Sequence, residues 1–232
     1  MAHWKKIAGG LSAISAGSRT NVWGVNSAQG IYRYTNDDQN PWVGIPGGLS
    51  DIGAAADGTV WGVNSAQEIY RYTGDQGSTH WVKIPGGLSR ISVGSRTNVW
   101  GVNSAQEIYR YTNDDQNPWV KIPGGLSDIG AAADGTVWGV NSAQEIYRYT
   151  GDQGSTHWVK IPGGLSRISV GSRTNVWGVN SAQEIYRYTN DDQNPWVKIP
   201  GGLSDIGAAA DGTVWGVNSG GEIYRYTGDQ PG

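Results

Sequence analysis

The sequence predicts an all-β fold, a six-bladed β-propeller with four antiparallel strands in each blade, from three observations. A unit of about 38 residues recurs six times, each unit contains four short strand-like runs, and the two ends of the chain complement each other. Four strands in a unit of this length are typical of propeller blades. We therefore expect one propeller domain that spans residues 1–232.

The repeat is marked by a tryptophan that opens a W-[VK]-[KG]-I element, and successive tryptophans lie 38, 39, 38, 39 and 38 residues apart. They are Trp4, Trp42, Trp81, Trp119, Trp158 and Trp196. Two versions of the unit alternate, one with GSRTNVW and TNDDQNP, the other with AAADGTVW and TGDQGSTH. The larger unit therefore has 77 residues and occurs three times. Residues 81–142 and 158–219 are identical, which indicates recent duplication or deliberate construction.

The four runs of each unit have the composition of β-strands. They read LSRISV, NVWGV, EIYRYT and WVKI, and Gly, Asn, Asp and Pro separate them. Val, Ile, Tyr, Trp and Thr favour strands, and the separating residues favour turns. An all-β solenoid built from the same runs is the alternative architecture.

The termini favour a closed ring over a solenoid. The chain begins with a WKKI run that no blade precedes, and it ends on EIYRYTGDQPG without a WVKI run. We predict that residues 4–7 form the outer strand of the blade built from residues 203–227, which would leave no bare sheet edge. A solenoid would need capping repeats instead.

Composition narrows the classes of function. The 37 glycines occur with 12 Trp and 12 Tyr, which indicates a folded, turn-rich protein. The net charge is −3 with both signs interspersed, so no basic surface is expected for nucleic acid or anionic lipid. Neither a membrane span nor a signal peptide is apparent, and the absence of Cys excludes thiolate chemistry. We expect a cytoplasmic location, with non-classical release as an alternative.

The distribution of titratable residues argues against an enzyme. A catalytic centre needs differently tuned groups at one place, whereas nearly every titratable residue here recurs at equivalent positions. His3, His80 and His157 share one position and lie a third of a turn apart, so they should not converge on a metal. The acidic runs NDDQN and ADGT lack the ligand spacing of a calcium loop and are expected to be turns, including Asp37–Asp38. We predict no catalytic site, no metal site and no cofactor.

Six equivalent units favour multivalent recognition. Several weak sites that engage one decorated surface can raise avidity by roughly 10²–10⁴. A protein-interaction scaffold, or a designed symmetric propeller without a selected ligand, is the alternative. A protein partner usually contacts one asymmetric patch, which near-identical repeats do not offer.

The runs GGLS, VWGVNS and IYRYT, each present in all six units with a leading Trp, resemble the tectonin family. The resemblance covers nearly the whole chain and implies a six-bladed propeller that recognises carbohydrate. It implies neutral glycans as partners, including O-methylated sugars on microbial or invertebrate surfaces, and leaves oligomerisation open. Family repeats usually diverge more than these.

Three side chains of each unit are candidate sugar contacts, and each has a structural alternative. The second-strand tryptophans offer ring faces, or else pack blade on blade: Trp23, Trp61, Trp100, Trp138, Trp177 and Trp215. The asparagines that end this strand offer amides, or else form Asx turns: Asn26, Asn64, Asn103, Asn141, Asn180 and Asn218. The arginines of YRY donate to hydroxyls, or else lie over the blade surface: Arg33, Arg71, Arg110, Arg148, Arg187 and Arg225. The leading tryptophans are expected to pack at the rim.

The residue after GGLS alternates in charge around the predicted ring. It reads Ala13, Asp51, Arg90, Asp128, Arg167 and Asp205. Innermost strands of a propeller lie close together, so we predict a broken ring of Arg–Asp contacts around the channel, with its gap at Ala13. The alternative is that these charges face channel water without contacting each other.

Overall fold

The chain forms a closed ring of six four-stranded antiparallel sheets, as predicted. A computed structural model describes residues 3–229 of the 232-residue chain. Each sheet runs from an inner strand at the channel to an outer strand at the rim. We number the blades 1 to 6 in the order of their inner strands. No helix within residues 3–229 is long and apolar enough to span a membrane.

The strands recur at equivalent positions in every blade. The inner strands are β2 (Ala13–Ser18), β6 (Asp51–Ala54), β10 (Arg90–Ser95), β14 (Asp128–Ala131), β18 (Arg167–Ser172) and β22 (Asp205–Ala208). The second strands are β3 (Asn21–Val25), β7 (Val60–Val63), β11 (Asn98–Val102), β15 (Val137–Val140), β19 (Asn175–Val179) and β23 (Val214–Val217). The third strands are β4 (Ile31–Tyr34), β8 (Ile69–Tyr72), β12 (Ile108–Tyr111), β16 (Ile146–Tyr149), β20 (Ile185–Tyr188) and β24 (Ile223–Tyr226). The outer strands are β5 (Trp42–Ile45), β9 (Trp81–Ile84), β13 (Trp119–Ile122), β17 (Trp158–Ile161), β21 (Trp196–Ile199) and β1 (Trp4–Ile7).

The ring closes through the first strand of the chain. β1 pairs antiparallel with β24, with Trp4 opposite Tyr226 and Ile7 opposite Ile223. The sheet order β1-β24-β23-β22 gives blade 6 its fourth strand. The closure predicted from the two termini is therefore confirmed.

The inner strands of odd and even blades differ in a way that the sequence explains. In β10 the register shifts between Val93 and Ser95, and the bulge contains Gly94. A Cβ atom at Gly94 would lie 2.3 Å from the carbonyl group of Ala132 on the next blade. Only glycine permits such an approach of two backbones. The glycine of the GSR segment in an odd blade therefore packs against the AAA segment of the next, even blade.

The hydrophobic core is divided into six layers, one between each pair of adjacent blades. Trp61 of blade 2 makes edge contacts with Tyr111 and Trp119 of blade 3, at centroid distances of 4.9 and 5.9 Å. Val63 and Ile69 of blade 2 and Ile91 of blade 3 belong to the same cluster. Full burial of one such aromatic side chain contributes roughly 1.5–3 kcal/mol, so these layers hold the blades in contact.

The inner strands bring the alternating charges together at one end of the channel. Arg90 contacts Asp51 at 3.2 Å and Asp128 at 3.0 Å, as predicted, and it also reaches Asp205 across the channel at 3.6 Å. Within residues 3–229, Arg167 makes no ion pair, although its charge opposes part of the rise that burial causes in the pKa of Asp205. The ring of contacts is therefore confirmed around Arg90 and absent around Arg167.

Burial governs the ionisation of this cluster. It raises the pKa of Asp51 to about 6, although Arg90 opposes the shift. Burial also raises the pKa of Asp205. It disfavours the charge of Arg90, but the three carboxylates together raise the pKa of Arg90. Each aspartate also accepts a hydrogen bond of 2.9 Å from a backbone N–H of the next odd blade: Asp51 from Ile91, Asp128 from Ile168 and Asp205 from Ile14.

Candidate functional site

A cleft opens between adjacent blades on the face that carries the turns between second and third strands; we call this the cleft face. Between blades 1 and 2 it forms a cavity of about 310 Å³. Its lining is Ile31, Gly47, Gly48, Leu49, Asn64, Tyr70 and Trp81. A cavity of the same volume lies between blades 3 and 4, lined by Gly124, Gly125, Leu126, Asn141, Tyr147 and Trp158.

The outer tryptophan forms the fixed apolar wall of the cleft. The indole N–H of Trp81 donates to the carbonyl oxygen of Pro46 at 2.8 Å, which orients the ring. Gly47 has a φ of +130°, and a Cβ atom there would lie 3.0 Å from the Trp81 indole nitrogen. The glycine therefore allows the loop to pass beneath the ring, and Ile31 and Leu49 complete the apolar surface.

The same indole bond recurs at every junction of the ring. The six acceptors are the carbonyl oxygens of Ala8, Pro46, Pro85, Pro123, Pro162 and Pro200. The orientation of the outer tryptophan is therefore the same at all six junctions.

A hydrogen-bonded polar rim borders the apolar wall. The Asn64 side-chain oxygen accepts bonds from the backbone of Ala66 and Glu68, and its amide donates to Glu68 at 2.9 Å. Glu68 also pairs with Lys83 at 2.5 Å. This bond lowers the pKa of Glu68 and raises that of Lys83, so both groups are charged at neutral pH. The rim is pre-organised by its own network.

The cleft between blades 6 and 1 departs from this plan. Gly30 and Gly44 replace the Glu68–Lys83 pair, and Gly221 replaces the glutamine found at the other junctions. In the cleft between blades 1 and 2, the glutamine Gln29 bonds the Ser65 hydroxyl and backbone at 3.2 Å. Its absence at Gly221 leaves a cavity of about 350 Å³. This junction has fewer polar contacts than the others.

The structure overturns the second-strand tryptophans as sugar contacts. Trp23, Trp61, Trp100, Trp138, Trp177 and Trp215 are between 0 and 1% exposed. Each is enclosed between its own blade and the next, so no ring face is open to a ligand. The packing interpretation is the one that fits this burial.

The predicted asparagines form Asx turns, and their role as sugar contacts stays a prediction. They form the expected Asx turns, and four also line cavities of the cleft face, namely Asn26, Asn64, Asn141 and Asn218. Their side chains are held by the turn, as Asn64 illustrates, so they form part of a rigid rim. Asn103 and Asn180 make the same turn contacts.

The predicted arginines are engaged within the protein. Each extends over the tryptophan of its own blade, at 5.3–5.4 Å from the ring centroid, and pairs with an aspartate of the next blade. Arg33 pairs with Asp75 at 2.8 Å through both terminal nitrogens. Arg71, Arg110, Arg148, Arg187 and Arg225 pair in the same way with Asp115, Asp152, Asp192, Asp229 and Asp38. They fasten one blade to the next and offer few free donors to a ligand.

One predicted solvated turn has a structural role. Asp37 is exposed, but Asp38 accepts bonds from Arg225, Lys5 and the Tyr34 hydroxyl. The bond from Arg225 is the largest cause of a pKa far below the ordinary value for Asp38. His80 lies against the carbonyl oxygen of Gly74 at 3.1 Å. Within residues 3–229, no group of three or more acidic, histidine or cysteine side chains could hold a metal ion.

Sequence reasoning missed the residues that line the clefts. The outer tryptophans pack at the rim as expected, and in addition Trp81 and Trp158 form cleft walls. Tyr70 and the GGL segment were not singled out. The signal available was the glycine pair before each leucine, since two residues without side chains beside a large ring leave an open space.

Comparison with known proteins agrees with this architecture. The family model of the tectonin domain matches residues 1–118 and 113–231. No curated protein matches the sequence.

Solved propellers share the fold at low sequence identity. The streptogramin B lyase structure is 21% identical with a TM-score of 0.64, covering 93% of this chain and 78% of that one. YCF48 bound to D1 peptide is 16% identical with a TM-score of 0.60, covering 99% and 84%. The WD40 propeller domain of Doa1 is 10% identical with a TM-score of 0.64, covering 99% and 98%. These likenesses concern the fold alone; because the family model extends over nearly the whole ring, the chain belongs to the tectonin family.

Proposed function

We propose that the protein is a multivalent lectin whose six inter-blade clefts bind neutral glycans, with a preference for O-methylated sugars. Tectonin propellers are binding proteins, lectins or interaction scaffolds, and are generally non-enzymatic. The observation that carries the proposal is the repeated pairing of an apolar wall with a fixed polar rim. We further propose a cytoplasmic location for the protein, with non-classical release as the alternative.

The chemistry of the cleft suits a sugar that carries a methyl ether. The Trp81 ring can cover an apolar C–H face, and the space beside Ile31 and Leu49 is apolar enough for a methyl group. Burying one methyl group contributes about 0.8 kcal/mol, roughly fourfold in affinity. The Tyr70 hydroxyl and the Lys83 ammonium group lie at the rim, where they can bond the remaining hydroxyls.

The arrangement of the clefts can convert a small preference of each cleft for a methylated sugar into a strong preference of the whole protein. The clefts lie at equivalent junctions on one face of a rigid ring, so several can meet one decorated surface. Avidity then multiplies the contribution of each methyl contact. The divergent cleft between blades 6 and 1 should contribute less than the other five.

A glycan array tests the proposal directly. We expect binding to methyl ethers of neutral hexoses and deoxyhexoses that rises steeply with glycan density. A blank array together with tight one-to-one binding of a protein would instead favour the scaffold.

A cleft-filling variant locates the site. Gly48 has room for a Cβ atom, because the nearest atoms would be 3.8 Å away, and it lines the cleft. The sixfold variant with Gly10, Gly48, Gly87, Gly125, Gly164 and Gly202 changed to Ala should lose at least tenfold in avidity without a large change in melting temperature. The matched control is Gly220→Ala, which adds the same methyl group at a position where the other five repeats already have Ala. Equal binding by the sixfold variant and the control would exclude the clefts.

A further inference from the structure

We propose that the opposite face of the ring carries a second class of binding site, three polar grooves that bind the hydroxyl groups of an unmethylated pyranose. This face carries the hairpins between inner and second strands and between third and outer strands; we call it the groove face. The grooves share no lining residue with the clefts. The inference therefore goes beyond the cleft function and can be tested separately.

The groove between blades 4 and 5 has a volume of about 840 Å³ and is open to solvent. It is lined by Asp134, Gly135, Thr136, Arg148, Tyr149, Arg173, Thr174, Tyr188, Asn190, Asp191, Asp192 and Gln193. Ligand sites for small molecules commonly have volumes of roughly 300–1,000 Å³, so one or two sugar units fit. The lining is polar, in contrast to the clefts.

Unpaired arginines mark the grooves. Of the 17 Lys and Arg residues, all of which lie within the described chain, 13 make an ion pair. Three of the remaining four occupy one equivalent position: Arg19, Arg96 and Arg173, and all are exposed. The backbone N–H of Arg173 donates to Asp134 at 2.9 Å, which fixes the turn. Within residues 3–229 its guanidinium group has no hydrogen-bond or ion-pair partner.

The neighbouring loop presents further free polar groups. One carboxylate oxygen of Asp191 accepts the Gln193 backbone N–H at 3.0 Å, while its other oxygen is without a partner among the described residues. The side chains of Asn190 and Gln193 likewise make no hydrogen bond within residues 3–229. Bonds from Thr189 to the carbonyl oxygens of Asn194 and Pro195 hold this loop in one shape. The backbone that carries these free groups is therefore held in one shape, which lowers the part of the entropy cost of binding that comes from ordering the loop.

The balance of charges selects the class of ligand. Arg148 and Asp192 neutralise each other at 2.8 Å, and Arg173 faces two carboxylates, Asp134 and Asp191, in the same groove. This mixture does not favour a polyanion. Sugar hydroxyls both donate and accept, so a vicinal pair can bond a guanidinium group and a carboxylate together. A methyl ether removes the donated hydrogen, so the groove should prefer free hydroxyls.

The alternation of repeats limits these sites to three. The groove requires a GSRTN turn and a TNDDQNP loop on the same blade, as in blades 1, 3 and 5. At the other junctions the loop reads TGDQGST, with Gly74 in place of the asparagine and with Asp75 already paired to Arg33. The double repeat of 77 residues therefore gives the groove face a valency of three against six on the cleft face.

The experiment uses the full chain and two immobilised probes, an unmethylated mannan or galactan and a methyl-ether hexose conjugate. The variant Arg19→Ala, Arg96→Ala, Arg173→Ala should lose at least tenfold in binding to the unmethylated polymer and stay within twofold for the methyl ether. The sixfold glycine variant should show the reverse pattern. The control variant is Gln76→Ala with Gln153→Ala, which removes exposed polar side chains from the same face on the loops of the other junctions. It should bind both probes like the wild type.

The outcomes separate the two proposals. If the wild-type protein does not bind the methyl-ether conjugate, the proposed cleft function is wrong, and the result for the grooves is unaffected. No binding of wild type to either unmethylated polymer, or equal binding by the arginine variant at unchanged melting temperature, would overturn the groove inference. Selection of peptides rather than pyranoses by the wild-type grooves would overturn it as well.

Discussion

Arg90 and Arg167 occupy equivalent positions in identical segments of sequence, yet they differ in their contacts. Arg90 touches three buried carboxylates, whereas Arg167 touches none within the described chain. Replacing Arg90 by Ala leaves these carboxylates without their cation and should cost about 2–4 kcal/mol. Arg167→Ala should cost under about 1 kcal/mol. Urea unfolding of both variants measures the difference, and equal costs would show that the guanidinium groups share the cluster.

The sequence predicts some residue roles and misleads on others for a physical reason. Alternating Arg and Asp at one position near the axis predicted the contacts of Arg90 with Asp51 and Asp128, because innermost strands must lie close. The reach to Asp205 depends on the channel width, which no local pattern encodes. Trp61 and Trp81 lie in different strands of blade 2; Trp61 is enclosed and Trp81 forms a cleft wall. The open space beside Trp81 depends on the loop of the preceding blade, which the sequence around the tryptophan does not encode.

At the scale of the element, the strand β1 carries the closure of the ring. It supplies the whole outer edge of blade 6 through its pairing with β24, and the Trp4 indole bonds Pro200 of blade 5. Deleting residues 1–8 should expose the edge of β24 and the apolar layer behind it, so the chain should aggregate or melt at a lower temperature. Size-exclusion chromatography and thermal unfolding check this. A truncated chain that remains monomeric with unchanged melting would contradict the closure.

The strands were predictable because the β-strand propensity of their residues and the turn residues on either side indicate the same structure. Val, Ile, Tyr and Trp recur between turn residues, and the complementary termini required a shared blade. The sequence did not predict the bulge at Gly94, because the bulge depends on the close approach of the Ala132 backbone from another blade. The close approach of two backbones from different blades is not encoded by the sequence of either segment alone.

At the scale of the whole molecule, stability should pass through a maximum at mildly acidic pH. The pKa of Asp51 is raised to about 6 by burial, so the folded state binds a proton there that the unfolded state releases above about pH 4. Stability from this group therefore increases as pH falls from 7 towards 4, by about 1–3 kcal/mol. The pKa of the paired aspartates, such as Asp115, is lowered by the bond from Arg71, so their stabilisation is lost as pH falls below about 4.

Denaturant unfolding at a series of pH values tests this profile. Asp51→Asn should remove much of the gain between pH 7 and 4 and leave the loss below pH 4 unchanged. Stability that falls steadily from pH 7 downwards in wild type would contradict the assignment to Asp51.

The near-identity of the repeats has a consequence for how the ring is reached from the unfolded chain. Because residues 81–142 and 158–219 are identical, an inner strand can meet the wrong partner blade with almost the same contacts as the right one. The folding energy landscape should therefore contain compact misfolded states with wrongly paired blades. These states differ from the native state mainly in that their ring cannot close. Lys5 helps to break this degeneracy, because the other five outer strands have Val at its position, whereas Lys5 bonds Asp38 of blade 1 at 2.8 Å. Refolding should accordingly proceed in several kinetic phases, whereas unfolding should proceed in one, with the final docking of β1 as the step that commits the chain to one arrangement.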